Sequence, residues 1–342
     1  MLAAVSDHAL EATVGAYVAQ EMATGALSAA RAALGQLLGM PDEGVAFVES
    51  ATVALSTLLD LWPFGAEPSV GVAPSEWGPN LAAFTRRGLR LVELPVDDDG
   101  YVDVARLERM LASTPLSAIH ITQVASHRSL VQPVAAIASV CHAAAVPLFV
   151  DAAQALGHVD TATGADVIYA TSRKWLAGPR GVGVLAVASA WSPGLRRVLE
   201  ALEPGAPDEP IAALLSSRES HVAGRIGLGH AAREHRSLGP PAVWRRLAAV
   251  GRATRQLLQD LDNWQVIGPV DDASAISALR PTAGQDVTAV RARLLGELGI
   301  VTTAQQVFRA PREMRGPTLR VSPHVDTTSD DLVRLRDALG SL

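Results

Sequence analysis

Between Val45 and Ala188 the chain alternates short apolar runs with helix-forming stretches, and this alternation constrains the fold more than any other feature. The apolar runs read as strands at Val45–Val48, Ser69–Ala73, Leu89–Leu94, Ala118–Gln123, Pro147–Val150, Val167–Ala170 and Val182–Ala188. Helices are predicted among them at Thr52–Leu61, Asn80–Arg87, Val104–Ser113 and Val134–Ala144, and an alanine-rich helix broken at Gly25 is predicted before them at Ala3–Leu38. Helical crossovers connect parallel strands and cover both faces of the sheet, which explains strands that are apolar throughout. The predicted architecture is therefore α/β, with a mainly parallel central sheet and helices on both faces.

From about Ser237 the pattern changes to longer helices and fewer strands. Helices are predicted at Trp244–Leu261 and Val287–Leu298, a strand at Thr318–Val321, and a last helix at Ser329–Leu339 stopping at Gly340. This divides the chain into a large domain, residues 1–236, and a smaller C-terminal α+β domain, residues 237–342, with the boundary near Gly239-Pro240-Pro241. The first helix is a candidate to pack against the smaller domain.

Ligands of open α/β sheets bind beyond the carboxyl ends of the strands. The polar clusters just after the predicted strands are Glu49–Thr52, Ser75–Asn80, Val124–Arg128, Asp151–Gln154 and Thr171–Lys174. The last contains Lys174, the single lysine; the other 28 of the 29 basic residues (29 − 1) are arginines. Arginine stays protonated, whereas a desolvated lysine can lose its proton and act as a nucleophilic amine.

The remaining composition excludes several classes. A net charge of −6 without a block of like charge argues against nucleic-acid or anionic-membrane partners. No apolar run reaches the roughly 18 residues of a membrane span, and no signal segment is recognisable. One cysteine, Cys141, precludes an internal disulfide framework and fits a reducing cytoplasm, the expected location. The nine histidines lack zinc-site spacing, and no metal is expected. Gly178-x-x-Gly181-x-Gly183 precedes a strand instead of opening a helix, so it does not read as a dinucleotide loop.

Val150-Asp151-Ala152-Ala153-Gln154, Gly164-Ala165-Asp166 and the stretch Thr171-Ser172-Arg173-Lys174-Trp175 through Gly183 resemble the class V aminotransferase family. This is the fold-type-I pyridoxal 5′-phosphate group that contains cysteine desulfurases, selenocysteine lyases and isopenicillin N epimerase. The likeness extends to Ser50-Ala51-Thr52, Glu76-Trp77-Gly78-Pro79-Asn80, Ser126–Pro133 and Leu319-Arg320-Val321-Ser322-Pro323-His324, and so covers nearly the whole chain.

The resemblance implies a role for each matching residue. Lys174 would carry the cofactor and shuttle the Cα proton. Asp151 would keep the ring nitrogen protonated, Gln154 would bond the ring hydroxyl oxygen, and Trp77 would stack on the ring where many relatives have histidine. Ala51, Thr52, Thr171 and Arg173 would hold the phosphate, and Arg320 would grip the substrate carboxylate. A small amino-acid substrate and a homodimer with sites near its interface are also implied.

Departures from the family pattern matter as much. No cysteine follows Cys141, which itself falls inside a predicted helix and reads as a buried thiol, so a persulfide relay is not expected. His127 and Arg128 replace a stretch that usually offers asparagine, making them candidates for extra polar or anionic groups of the substrate. Near Glu219–Gly229 the family threonine that reaches the partner subunit's phosphate is not evident, with Arg225 or Ser220 as candidate substitutes. The family's segment before the first helix, often with a Leu-Asp motif, has no counterpart.

Within the family the pattern is most similar to the carbon–sulfur lyases that cleave cysteine S-oxide conjugates in ergothioneine biosynthesis. That likeness implies β-elimination to pyruvate and ammonia. The alternatives are another class V reaction (a selenocysteine or cysteine lyase, a desulfurase-like enzyme, an amino-acid epimerase) or a silent cofactor-binding regulatory module.

Overall fold

The computed structural model describes residues 11–205, 209–217 and 221–341. Its centre is a seven-stranded sheet of β1 (Val45–Val48), β2 (Ser69–Val72), β3 (Arg90–Glu93), β4 (Ala118–Thr122), β5 (Leu148–Asp151), β6 (Val167–Thr171) and β7 (Gly183–Val187). Their spatial order is β1-β7-β6-β5-β4-β2-β3. Strands β3, β2, β4, β5 and β6 pair in parallel, while β7 runs antiparallel to both β6 and β1. The mainly parallel sheet expected from the sequence is thus present, with one reversed strand.

Strand periodicity divides the core. Val45, Phe47, Ile119, Ile121, Leu148, Val150, Ile168 and Ala170 join one apolar cluster, while Ala46, Val48, Ala118, Phe149, Val167 and Tyr169 join another. Alternate residues point to opposite faces of a strand, so these are the two faces of one sheet, each covered by helices. His120 follows the same alternation onto the face of Phe149 and Tyr169, where it is fully buried.

A second, four-stranded antiparallel sheet has the order β10-β11-β9-β8, formed by β8 (Trp264–Ile267), β9 (Ser277–Pro281), β10 (Thr303–Gln305) and β11 (Thr318–Val321). The sequence reading found only β11. The others are three to five residues long and pair across wide separations, as in Trp264 with Pro281 and Thr303 with Arg320. Local periodicity carries little signal for such pieces. Buried Arg255 ties the loop before β9 in place, donating to the carbonyls of Val270, Asp272, Ser274 and Ile276 at 2.6–3.2 Å.

Helix boundaries differ in explicable ways. The break expected at Gly25 falls at Gly15 (φ 88°) and Ala23, giving helices Glu11–Val14, Ala16–Met22 and Thr24–Leu38; residues 3–10 of that expected helix lie outside the described residues. Gly25 sits in a helical first turn, where its cost of about 1 kcal/mol is tolerated. Pro240 and Pro241 do not precede the next helix but start it, at Pro240–Leu258, because proline fits the first turn. Gly340 ends inside the last helix, Ser329–Gly340, whose start carries a Thr328–Asp331 capping box.

Candidate active site

Because β1, β2, β4, β5 and β6 run in one direction, their carboxyl ends share one edge of the sheet. A cavity of about 750 Å³ opens there. Of the residues expected to form a site, Ala51, Thr52, Trp77, Asp151, Gln154, Thr171, Arg173, Lys174 and Arg320 all line it. Residues from both sheets therefore meet in one space.

Lys174 lies in the loop between β6 and the reversed β7. That loop is closed by Ser172 N–H to Val182 O (3.1 Å), Gly178 N–H to Ser172 O (2.9 Å) and Ala177 N–H to Lys174 O (3.0 Å). Ala177 adopts φ 53°, a left-handed conformation rare for a residue with a Cβ. Gly157 (φ 85°) lets the turn after Asp151 touch this loop: a Cβ there would stand 2.8 Å from the Leu176 nitrogen. The Asp151 and Lys174 loops are thereby pressed together.

Burial pushes the Lys174 amine down to about 8, opposed by Asp151 and reinforced by Arg320, Arg173 and Arg309. A lowered pKa means that the neutral, nucleophilic amine predominates above about pH 8. In cofactor-free protein, the rate of covalent cofactor attachment is expected to rise with pH and level off near pH 8, as read by stopped-flow absorbance. A rate still climbing tenfold per unit at pH 10 would contradict this.

Asp151 ends β5 and is buried. Its Oδ1 accepts from Ala153 N–H (2.8 Å) and its Oδ2 from Asn80 Nδ2 (3.0 Å). Asn80 also donates to Glu76 Oε1 (2.9 Å), so the amide bridges two buried carboxylates. Glu76 is further held by Trp77 N–H (2.8 Å), Thr122 Oγ1 (2.6 Å) and His120 Nδ1 (2.9 Å), with His120 Nε2 at 2.7 Å from the Tyr169 hydroxyl. Burial alone would raise the Glu76 carboxyl, but His120 and these hydrogen bonds outweigh it and hold the pKa below the usual range. Sequence reasoning assigned Glu76 and Asn80 no role beyond motif membership. Asn80→Ala leaves both carboxylates short of a donor, and a loss of about 2 kcal/mol in stability is expected. Weaker cofactor retention should accompany it, measured by thermal melting and by equilibrium dialysis.

Gln154 Oε1 accepts from the Trp175 indole N–H at 2.9 Å. Indole nitrogen only donates, so the amide oxygen must face it and the Nε2 donor is left for the cavity. His158 fixes the same turn: Nδ1 donates to Gln154 O (2.9 Å) and Nε2 accepts from Ala275 N–H (2.8 Å), which links this edge to the segment before β9. Burial lowers the His158 pKa to about 4, keeping it in that neutral form.

Ser50 caps the helix Ala51–Leu61, its Oγ accepting from Val53 N–H at 3.2 Å. The first intrahelical bond runs from Ala54 N–H to Ser50 O, so the N–H groups of Ala51 and Thr52, which line the cavity, precede it and are free to donate to an anion. Arg320, on β11, has only long contacts of 3.5 Å to Ser126 O and Thr303 Oγ1, and its buried Nε has no partner. Burial lowers its pKa to about 10, helped by Arg309 and Arg173. No acidic side chain among the described residues forms an ion pair with it.

These features match the parts of pyridoxal phosphate: N–H donors and hydroxyls for phosphate, a buried carboxylate with an open acceptor for the ring nitrogen, an indole for the ring face, and an amine whose pKa burial lowers. The residues present fit the cofactor. Three of the expected site residues, His127, Arg128 and Arg225, do not line this cavity. His127 Nε2 and Arg128 Nη2 are bound to Glu313 at 2.7 and 2.5 Å, and Arg128 Nη1 donates to Asp99 O at 2.7 Å, so both are paired outside the cavity wall, with only Arg128 Nε left without a partner. Arg225 is buried against the Phe47 ring (5.5 Å) and donates to Ser217 O at 2.7 Å. Ser220 lies outside the described residues. Sequence reasoning missed Phe308, Arg309 and Arg180, which do line the cavity but come from segments without regular periodicity.

Comparison with known proteins agrees with this geometry. The model of the family described as aminotransferase class V matches residues 4–335. The chain is 47% identical over 339 residues (99% of this chain, 85% of the relative) to a probable hercynylcysteine sulfoxide lyase of Mycobacterium tuberculosis. It is 29% identical to a cysteine desulfurase of Dickeya dadantii, over 77% of this chain and 68% of that protein. Among solved structures, the apo cysteine desulfurase of Thermococcus onnurineus superposes with a TM-score of 0.84 at 19% identity, covering 99% of this chain and 92% of that one. A cystine C–S lyase in complex with cysteine persulfide gives 0.85 at 16% identity, covering 100% and 93%. With both the family model and the site geometry in agreement over nearly its whole length, the chain belongs to the class V aminotransferase family of pyridoxal-phosphate enzymes.

Proposed function

We infer that the protein is a carbon–sulfur lyase that removes the sulfur substituent from a cysteine S-oxide conjugate, hercynylcysteine sulfoxide, in ergothioneine biosynthesis. The observation that carries this reading is the 47% identity, spanning 99% of the chain, to the relative bearing that activity in its name. The cavity chemistry agrees with it. The sole cysteine, Cys141, is fully buried in the helix Val134–Ala143 and does not line the cavity; burial pushes its thiol up to about 12. A sulfoxide departs as a sulfenate without a protein thiol to receive it.

When bound, pyridoxal phosphate supplies a protonated ring that draws electrons away from Cα. Asp151 would keep the ring nitrogen protonated through a charge-assisted hydrogen bond. Arg320 binds the substrate carboxylate and orients the Cα–H bond. Lys174 would take the Cα proton, its lowered pKa suiting it to act as the base. The Cβ–S bond then breaks with its electron pair going to sulfur. With one water the remainder leaves as pyruvate and ammonia, and the sulfenic acid is reduced to the thiol after release by an external thiol.

The same reading carries a homodimer with its sites near the interface. Tyr17, Val18 and Met22, exposed together on the helix Ala16–Met22, are apolar surface suited to such a contact. Analytical ultracentrifugation measures it directly.

The deciding assay compares substrates. Holoenzyme is expected to form pyruvate and ammonia from hercynylcysteine sulfoxide, with free cysteine yielding neither sulfide nor alanine at a comparable rate. Alanine from cysteine as the main product would instead establish desulfurase chemistry, and racemisation without pyruvate would establish an epimerase.

A further inference from the structure

Five cations line the cavity, Arg173, Lys174, Arg180, Arg309 and Arg320, against the two carboxylates Glu49 and Asp151. The proposed chemistry uses Lys174 at Cα, Arg173 at the phosphate and Arg320 at the substrate carboxylate, while Arg180 is exposed at the rim. Arg309 is left over.

Its surroundings are those of an ion waiting for a counter-ion. The guanidinium lies 5.3 Å from the centre of the Trp77 ring and 5.9 Å from that of Phe308. Its Nε is buried without a hydrogen-bond partner, and no acidic side chain among the described residues pairs with it. Burial lowers its pKa, and it stands within electrostatic reach of both Lys174 and Arg320. A half-buried cation beside two other cations is costly unless an anion joins it, and stacking on aromatic rings offsets only part of that cost.

Nor is Arg309 a loose surface side chain. It ends the short 3-10 turn Val307–Arg309, between β10 and the β11 strand that carries Arg320. Glu313 anchors the same loop to the body of the protein through His127 (2.7 Å) and Arg128 (2.5 Å), and Met314 is buried beside it. On the other side the loop rests on Gly78, where any Cβ would fall 1.9 Å from the Phe308 carbonyl oxygen. Such anchoring pre-organises the guanidinium and lowers the cost of binding through it.

We propose that Arg309 binds a second carboxylate, carried on the sulfur substituent, and so selects cysteine S-conjugates whose arm bears a carboxylate over those whose arm bears none. This rests on the elimination reading above but is decided by binding, independently of turnover. The probes are the unreactive thioethers S-(2-carboxyethyl)-L-cysteine and S-(2-carbamoylethyl)-L-cysteine, nearly equal in shape and different in charge. Titrated into holoenzyme and followed by the cofactor absorbance, the carboxylate is expected to bind about tenfold more tightly than the amide.

In Arg309→Gln that ratio should fall to about one. In Arg309→Glu the preference should pass to S-(2-aminoethyl)-L-cysteine, a gain that misfolding cannot imitate. Arg320→Gln should weaken carboxylate and amide alike and preserve their ratio. Equal binding of the two thioethers by the natural enzyme, or an unchanged ratio in Arg309→Gln, would overturn the assignment. Absence of pyruvate from the corresponding S-oxides with the binding ratio intact would reject elimination and leave the Arg309 site standing.

Discussion

Lys174→Ala is expected to lower pyruvate formation by at least about 10⁴-fold and to remove the covalently attached form of the cofactor. No other side chain can take over, because the sequence contains no second lysine and the nearby cations are arginines that stay protonated. The loss should be visible before any assay: the absorbance of the lysine-linked cofactor disappears, and borohydride treatment followed by mass spectrometry finds no labelled peptide containing residue 174. The fold should persist, since the loop is held by the backbone bonds of Ser172, Ala177 and Gly178 and not by the amine. Retained turnover with the cofactor label on another residue would remove the basis of the mechanism.

Asp151→Asn should be the next most damaging change, with kcat reduced by about 100-fold. The estimate follows from loss of a charge-assisted hydrogen bond worth about 3 kcal/mol to the ring nitrogen. The substitution is nearly isosteric and Ala153 N–H can still be satisfied, but the new amide NH2 then faces the Asn80 Nδ2 donor, so that hydrogen bond is lost together with the charge. A second readout has a definite sign. Asp151 is the group that raises the Lys174 pKa against burial, so removing its charge must lower that pKa further. The pH at which cofactor attachment levels off should therefore move below about 8 in the variant. A profile unmoved by the substitution would mean that the two groups do not face one another across the cavity.

Much of this site could be read from residues in order. Lys174, Asp151, Gln154 and the Ser50-Ala51-Thr52 turn each lie within a few residues of the strand that aims them, so a motif along the chain is also a motif in space. His127 and Arg128 show the limit of that reasoning. They stand at the end of a strand that contributes to the cavity, yet Glu313, 186 residues away from His127, claims them both. A short-range pattern gives no sign of a partner so distant. Arg309 was overlooked for the complementary reason: its position depends on anchors at Gly78, His127 and Arg128, none of them near it in the chain.

The sequence by itself determined the parallel-sheet core, through strands apolar on both faces, and the identity of the one amine able to carry the cofactor. Tertiary structure alone decided which cations remain without partners, how Asn80 bridges Asp151 to Glu76, and that the smaller sheet has four strands. The physical reason is range. Hydrophobic periodicity and strand-end chemistry are local properties, whereas the fate of a buried charge depends on whichever donors and acceptors folding brings within about 3 Å of it.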